Sequence, residues 1–194
     1  MYIRNIVPEF IQGCEHLGQK NFFSGNIVPR FPLKTSFFPF ILFLSRKIFT
    51  PKGVFPMDYQ KLAVQRNSTN NFAKHVGIVT TKIEHGYAEV KMELQPFHLN
   101  PTGIVHGGAL YTMADVVVGS ANASLGTHGV TVDGEYHYLS PAANMKELTA
   151  IAKCIKEGGK ICVFDVEVLS DTGKLIGKGT FTTYRLLDKP IILD

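Results

Sequence analysis

No stretch of this 194-residue chain is long and apolar enough to span a bilayer. Its most apolar piece, FFPFILFLS (residues 37–45), is half of the about 20 residues a spanning helix needs, and a proline interrupts it. Cysteine is scarce. Cys14, Cys154 and Cys162 show no C-x-x-C spacing and the histidines no ligand spacing, so neither a metal site nor a cofactor is expected. The thiols read as small buried hydrophobes in a reducing, cytoplasmic compartment. Positive charge is missing where nucleic-acid binding would need it. Residues 1–56 carry seven Lys/Arg against two acids, whereas residues 57–194 carry thirteen against fourteen, so the body has no basic footprint. No internal repeat is evident.

The first 56 residues differ from the rest. They hold ten of the fourteen phenylalanines and six of the ten prolines, and neither a helical nor a strand period runs through them. A signal peptide is disfavoured, because no short basic start leads into a single apolar run with a small-residue cleavage site. Codons for Lys52-Gly53-Val54 can spell a ribosome-binding sequence just ahead of Met57. Residues 1–56 are therefore expected to be a non-domain extension, from a misplaced start or a disordered tail, and residues 57–194 the folded domain.

In that domain MDYQKLAVQRN suggests a short amphipathic helix ending near Asn67. VGIVTTKIEHGYAEVKMEL reads as two strands joined at His85-Gly86, with Ala88, Val90, Met92 and Leu94 alternating against charged residues. Four further strands are expected at 129–141, 147–158, 160–170 and 174–187, running as a meander with turns at Gly158-Gly159 and Thr172-Gly173. A tight Gly158-Gly159 turn sets Cys154 opposite Val163, which does not favour a disulfide. Between the two sets lies a helix whose apolar residues fall all round it, from Ala109 to Ala123, as in a buried helix. The order predicts an α+β domain, an antiparallel sheet of about six strands wrapped around one long central helix.

That helix carries one carboxylate, Asp115, in a segment that looks wholly buried. An isolated buried carboxylate costs several kcal/mol, and positions 111, 112, 118 and 119 supply no cation. Either Asp115 points out through a gap to a loop, or an apolar site raises its basicity or nucleophilicity. His106-Gly107-Gly108 opens the same helix, and bare N–H groups there suit a developing oxyanion. Gly107 and Asp115 are eight residues apart, roughly 12 Å along a helix. One helix is too long to aim both at one carbonyl, so the spacing favours a site shared by two antiparallel copies.

The residues HLNPTGIVHGGALYTMAD (98–115), GVTVDGEYHYLSPA (129–142), Gly159-Lys160 and DTGKLIGKG (171–179) together resemble the hotdog-fold acyl-CoA thioesterases, most closely the PaaI-like group. The resemblance covers roughly residues 58–187. It implies a hotdog homodimer, often a dimer of dimers, that hydrolyses an acyl-CoA thioester without cofactor. By position, Asp115 resembles the catalytic base or nucleophile and the Gly107 N–H the oxyanion donor. Asn100 corresponds to the residue orienting water or thioester. His106 orients the glycine loop, and Thr131 places a hydroxyl near the carboxylate. Gly108, the segment Tyr138, Leu139, Ser140, Pro141, Ala142 and Ala143, and Lys156 match positions that hold coenzyme A. Leu110, Tyr111 and Ala114 would wall an acyl pocket for an aryl-acetyl or medium-chain group.

Plainer roles also exist. Asn100 before Pro101 suits a turn, Thr131 a plain strand position, and Lys156 a solvated hairpin charge. Asp133, Glu135 and His137 alternate outward and need no catalytic role. Two other functions fit the same fold. A non-catalytic acyl-CoA sensor would need an attached DNA-binding segment and no Asp115. A dehydratase or hydratase would pair a histidine with a carboxylate in another arrangement.

Overall fold

A computed structural model describes residues 57–193; the expected extension over residues 1–56 lies outside the described residues. The chain starts with two helices rather than one, α1 (Tyr59–Thr69) and α2 (Asn71–Val76). Asn70 divides them, because it ends α1 while its side chain accepts a hydrogen bond from the Ala73 N–H and so starts α2. Helical structure, expected to end near Asn67, thus continues to Val76. α1 buries only Leu62 completely; its grip on the domain is polar. Asn67 exchanges two hydrogen bonds with the Thr80 backbone, at 2.9 and 2.8 Å.

β1 (Ile78–Glu84) and β2 (Tyr87–Glu93) form the expected hairpin. Gly86 sits at φ +65° in its turn, a conformation that favours glycine. α3 (Gly107–Ala123) is the long helix, followed by β3 (Thr127–Tyr138), β4 (Glu147–Lys156), β5 (Ile161–Ser170) and β6 (Leu175–Pro190). The six strands form one antiparallel sheet in the order β1-β2-β4-β5-β6-β3. Period-two burial runs through Ala88, Val90 and Met92 of β2, Leu148, Ala150 and Ala152 of β4, and Phe164, Val166 and Val168 of β5. These pack on Leu110, Met113, Ala114, Val117, Val118 and Ala121 of α3, which makes contacts with all six strands. Each large side chain so buried contributes about 1.5–3 kcal/mol.

The meander expected for the last four strands holds only for β4, β5 and β6. β3 lies at the far edge beside β6, since the place next to β2 is taken by β4. Local turns reveal only neighbouring pairings, and β3 pairs with a strand about forty residues later. Strand ends shift as well, most for the third, which begins at Thr127 and stops at Tyr138 instead of Ser140-Pro141. Cys154 opposes Phe164 rather than Val163, because a bulge at Ile155 moves the register by one. Cys154 and Cys162 are both free thiols.

This topology builds a loop crossing. From the edge strand β3 the chain must return to β4 in the middle of the sheet, so residues 139–146 run across the strand ends beside the start of α3. Leu139 and Ser140 donate to the Ile176 carbonyl, Val105 donates to the Ala142 carbonyl, and Lys146 N–H donates to Asp171. At the opposite end of α3, buried Asn122 donates to the Thr127 carbonyl and accepts from Thr183 Oγ1 at 2.8 Å. The helix is fixed at both ends.

Candidate active site

α3 starts at His106, whose extended backbone and ring form the cap: Nδ1 accepts the Gly108 N–H at 2.9 Å. The His106 ring thus caps the helix over the glycine pair. The Gly107 N–H, at the first helical position, has no intrahelical acceptor and makes no hydrogen bond among the described residues. Tyr138 lies over it, donating from its hydroxyl to the Gly107 carbonyl at 3.3 Å.

Around this helix start lies a cleft of about 380 Å³ lined by Asn100, Gly107, Leu110, Tyr138, Ser140 and Pro141, with Leu139 and Ala142 completing its wall. Most of the sequence-predicted ligand segment is thus brought together with the helix N-terminus. Ala143 follows that wall, and Gly108 is exposed beside it. Asn100 lines the cleft and shapes its loop. Its Oδ1 accepts from Thr102 N–H, Thr102 Oγ1 and Ile104 N–H, which makes the turn, while its Nδ2 makes no hydrogen bond among the described residues. Leu110 lines the cleft, while Ala114 is completely buried in the core of its own chain. Lys156 is not brought to this cleft. It ends β4 beside the Gly158 turn, and Arg185 ties that turn to Leu125, beyond the other end of α3.

Asp115 is not wholly buried. The helix is covered by the sheet on most sides, but Gly108, Tyr111, Thr112, Asp115 and Gly119 form a partly exposed stripe down one face. Uniform apolarity hid this stripe, since two of its members are glycines and one a tyrosine. Asp115 accepts a hydrogen bond from Thr131 Oγ1 at 2.7 Å. Strict alternation would set Thr131 on the same face as Asp133, Glu135 and His137. A β-bulge at Val132 breaks the β3–β6 register between Thr131 and Asp133, so Thr131 turns toward the helix while the other three turn out. Glu135 and His137 then meet at the surface at 3.3 Å.

Sequence reasoning missed two groups. The first is an aromatic cluster beside the stripe, in which the Tyr111 ring lies 6.1 Å from Tyr136 and 5.4 Å from Phe181, and Tyr136 4.9 Å from Tyr138. Burial, then the Asp115 charge, pushes the Tyr111 hydroxyl up, so it stays protonated and donates to the Gly134 carbonyl. The second is Arg66 of α1, whose guanidinium reaches Gly119 and Ser120 of α3. A cation forty-nine positions before Asp115 leaves no spacing signal.

Among the described residues no three His, Cys, Asp or Glu side chains gather as metal ligands, and no helix is long and apolar enough to cross a membrane. What the geometry offers is chemistry of an ionisable carboxylate with a hydroxyl partner, plus a bare N–H at a helix start. Within one chain the two stand at separate places on α3, Asp115 two turns beyond Gly107.

Known proteins resemble this chain in sequence and fold. The thioesterase superfamily model matches residues 102–176. Mouse acyl-coenzyme A thioesterase 13 is 33% identical over 112 residues, 56% of this chain and 79% of that one. The structure of the E. coli PaaI protein from the phenylacetic acid degradation operon superposes with a TM-score of 0.63 at 26% identity, over 66% of this chain and 95% of that one. A hypothetical thioesterase protein of Streptococcus pneumoniae, solved with coenzyme A, matches with a TM-score of 0.54 and 31% identity over 56% and 84%. Variants of it with an aspartate or a threonine replaced by alanine have also been solved. With its six-stranded antiparallel sheet wrapped on one helix, the hotdog arrangement, this chain belongs to the thioesterase superfamily as a PaaI-like thioester hydrolase.

Proposed function

We propose that the protein hydrolyses an acyl-CoA, with an aryl-acetyl or medium-chain acyl group, to the free acid and coenzyme A at a site shared by two subunits. The observation that carries this reading is the Asp115–Thr131 pair on the open stripe of α3, two turns from a bare Gly107 N–H. Asp115 of one subunit acts on the thioester carbonyl, as general base for water or as nucleophile. Gly107 N–H of the other stabilises the oxyanion, where a single well-placed donor is worth about 10²–10³ in rate. Asn100 Nδ2 orients the water or the thioester.

Two features support assembly. The edge strand β3 presents twelve residues with no further strand paired to it among the described residues, and its Val130 and Val132 are 49% and 56% exposed. A long unblocked edge of this kind invites pairing with a second copy. Pairing of two β3 strands would also set two α3 stripes side by side. Coenzyme A as the carrier is supported by the S. pneumoniae relative solved with it. In that relative the two replaced residues stand sixteen positions apart, the separation of Asp115 and Thr131. Lys156, which lies away from the cleft of its own chain, is assigned to the CoA phosphates of the opposite subunit's site.

The test is release of thiol from a panel of acyl-CoA substrates by the purified protein. Turnover supports the reading, and binding of acyl-CoA without turnover would favour a sensor. The hydroxyl gives a finer check. Thr131→Val should lower kcat by about 10-fold with little change in KM, and Thr131→Ser should retain most of it. Equal rates for all three would remove Thr131 from the site.

A further inference from the structure

A second cavity, of about 270 Å³, opens on the other flank of the α3 start. Its walls are Val76 at the end of α2, Phe97 and His98 of the short helical turn Pro96–His98, and Ala109 and Thr112 of α3. His75 and His106 complete the lining. Helical spacing keeps the two cavities apart. Gly107 and Leu110 face the Tyr138 cleft, Ala109 and Thr112 face this one, and Gly108 and Asp115 run between them on the open stripe. Among the described residues no Lys, Arg, Asp or Glu lines it, so it offers a phosphate nothing. Its volume also falls below the about 300–1,000 Å³ of pockets that hold whole ligands. It suits one apolar arm of a ligand.

Phe97 is the unusual wall, because its side chain is 68% exposed while the backbone beneath it is fixed. Pro96 opens the turn, the Gln95 N–H donates to buried His98 Nδ1 at 2.9 Å, and His98 Nε2 donates to the Val76 carbonyl at 2.8 Å. The His98 ring stands 4.2 Å from that of Phe97. The His98 carbonyl then accepts the His106 N–H at 2.8 Å, which ties the Phe97 turn, the end of α2 and the cap of α3 into one unit. A thioester carbon is trigonal, so its sulfur and its acyl carbon leave the carbonyl in different directions. With the oxygen at the Gly107 N–H and the sulfur arm in the Tyr138 cleft, the acyl carbon is directed across His106 to the opposite flank. We propose that the cavity beside Phe97 is the acyl subsite, and that Phe97 is a specificity-determining residue that packs on an apolar acyl group. Leu110 lies on the cleft side and Ala114 in the core, so neither lines this cavity.

This subsite rests on the thioesterase reading of the site. The measurement is kcat/KM for thiol release by the full chain from acetyl-CoA, hexanoyl-CoA and phenylacetyl-CoA, for wild type, Phe97→Ala and Ala109→Leu. Phe97 is exposed and Ala109 only partly buried, so both variants should melt with wild type. Phe97→Ala removes the wall and should lower kcat/KM for the two larger esters by about 10-fold, mainly through KM. Ala109→Leu fills the cavity and should cost the same esters about 10-fold or more. Acetyl-CoA, too short to enter, should stay within about 2-fold in both. Equal losses for all three esters, or none, would overturn the subsite. So would a changed oligomeric state of Phe97→Ala on gel filtration, which would make Phe97 a subunit contact. No thiol release from any ester by wild type would instead sink the thioesterase reading. Calorimetric binding of hexanoyl-CoA against CoA then makes the same comparison, and an unchanged affinity ratio in Phe97→Ala overturns the subsite by itself.

Discussion

Asp115→Asn should abolish thiol release from acyl-CoA, by about 10³-fold or more, while the melting temperature and the oligomeric state stay within error of wild type. The structural cost is small because the change is isosteric. The new amide would keep an oxygen able to accept the Thr131 hydrogen bond, and the side chain lies on the open stripe rather than in the core. What is lost is the ability to take a proton or to attack a carbonyl. Thiol release assayed beside a thermal melt and gel filtration separates the two effects. A variant that lost activity only by unfolding, or one that kept wild-type rates, would remove Asp115 from the chemistry.

Gly179→Ala should destabilise the domain strongly. Gly179 faces α3 from β6, opposite Tyr136 of β3. A Cβ there would stand 2.3 Å from the Glu135 carbonyl oxygen and 3.1 Å from the Tyr136 backbone and ring. The first is backbone and cannot rotate away, so the β3–β6 pairing itself must open. Overpacking of this kind costs about 3 kcal/mol, a fall of about 6–12 °C in melting temperature. Because β3 carries Thr131 and is the proposed assembly edge, activity should fall with stability. A variant melting within about 2 °C of wild type would show that β6 has room the geometry denies.

These two residues also mark what could be read from the sequence. Asp115 was legible because a carboxylate inside an apolar helix breaks a local pattern, and Gly107 because glycines at a helix start do the same. β1 with β2, and β4 through β6, were legible because their turns are local. β3 was misplaced in the sheet because its pairing with β6 is a long-range choice that no turn signals. The bulge at Val132 was invisible, yet it alone reconciles an inward Thr131 with outward Asp133, Glu135 and His137. Arg66 was hidden for the same reason as β3: its meaning depends on α1 packing against a helix end about fifty residues away. The second helix was missed because a single residue, Asn70, both stops one helix and starts the next.

The central claim is that each site takes Asp115 from one chain and the Gly107 N–H from another. Gly107→Pro deletes that N–H at a first helical position, which proline suits after an extended His106 at φ −62° and ψ 135°; its ring must push aside the exposed Tyr138 side chain, which a Cβ there would meet at 3.1 Å. Asp115→Asn and Gly107→Pro should each be inactive alone. Co-refolded in equal amounts, half the dimers are mixed, and each mixed dimer has one intact site of two. The account predicts recovery of about a quarter of wild-type activity. Mixed dimers seen by native mass spectrometry with no recovered activity would contradict it, placing both groups in one chain.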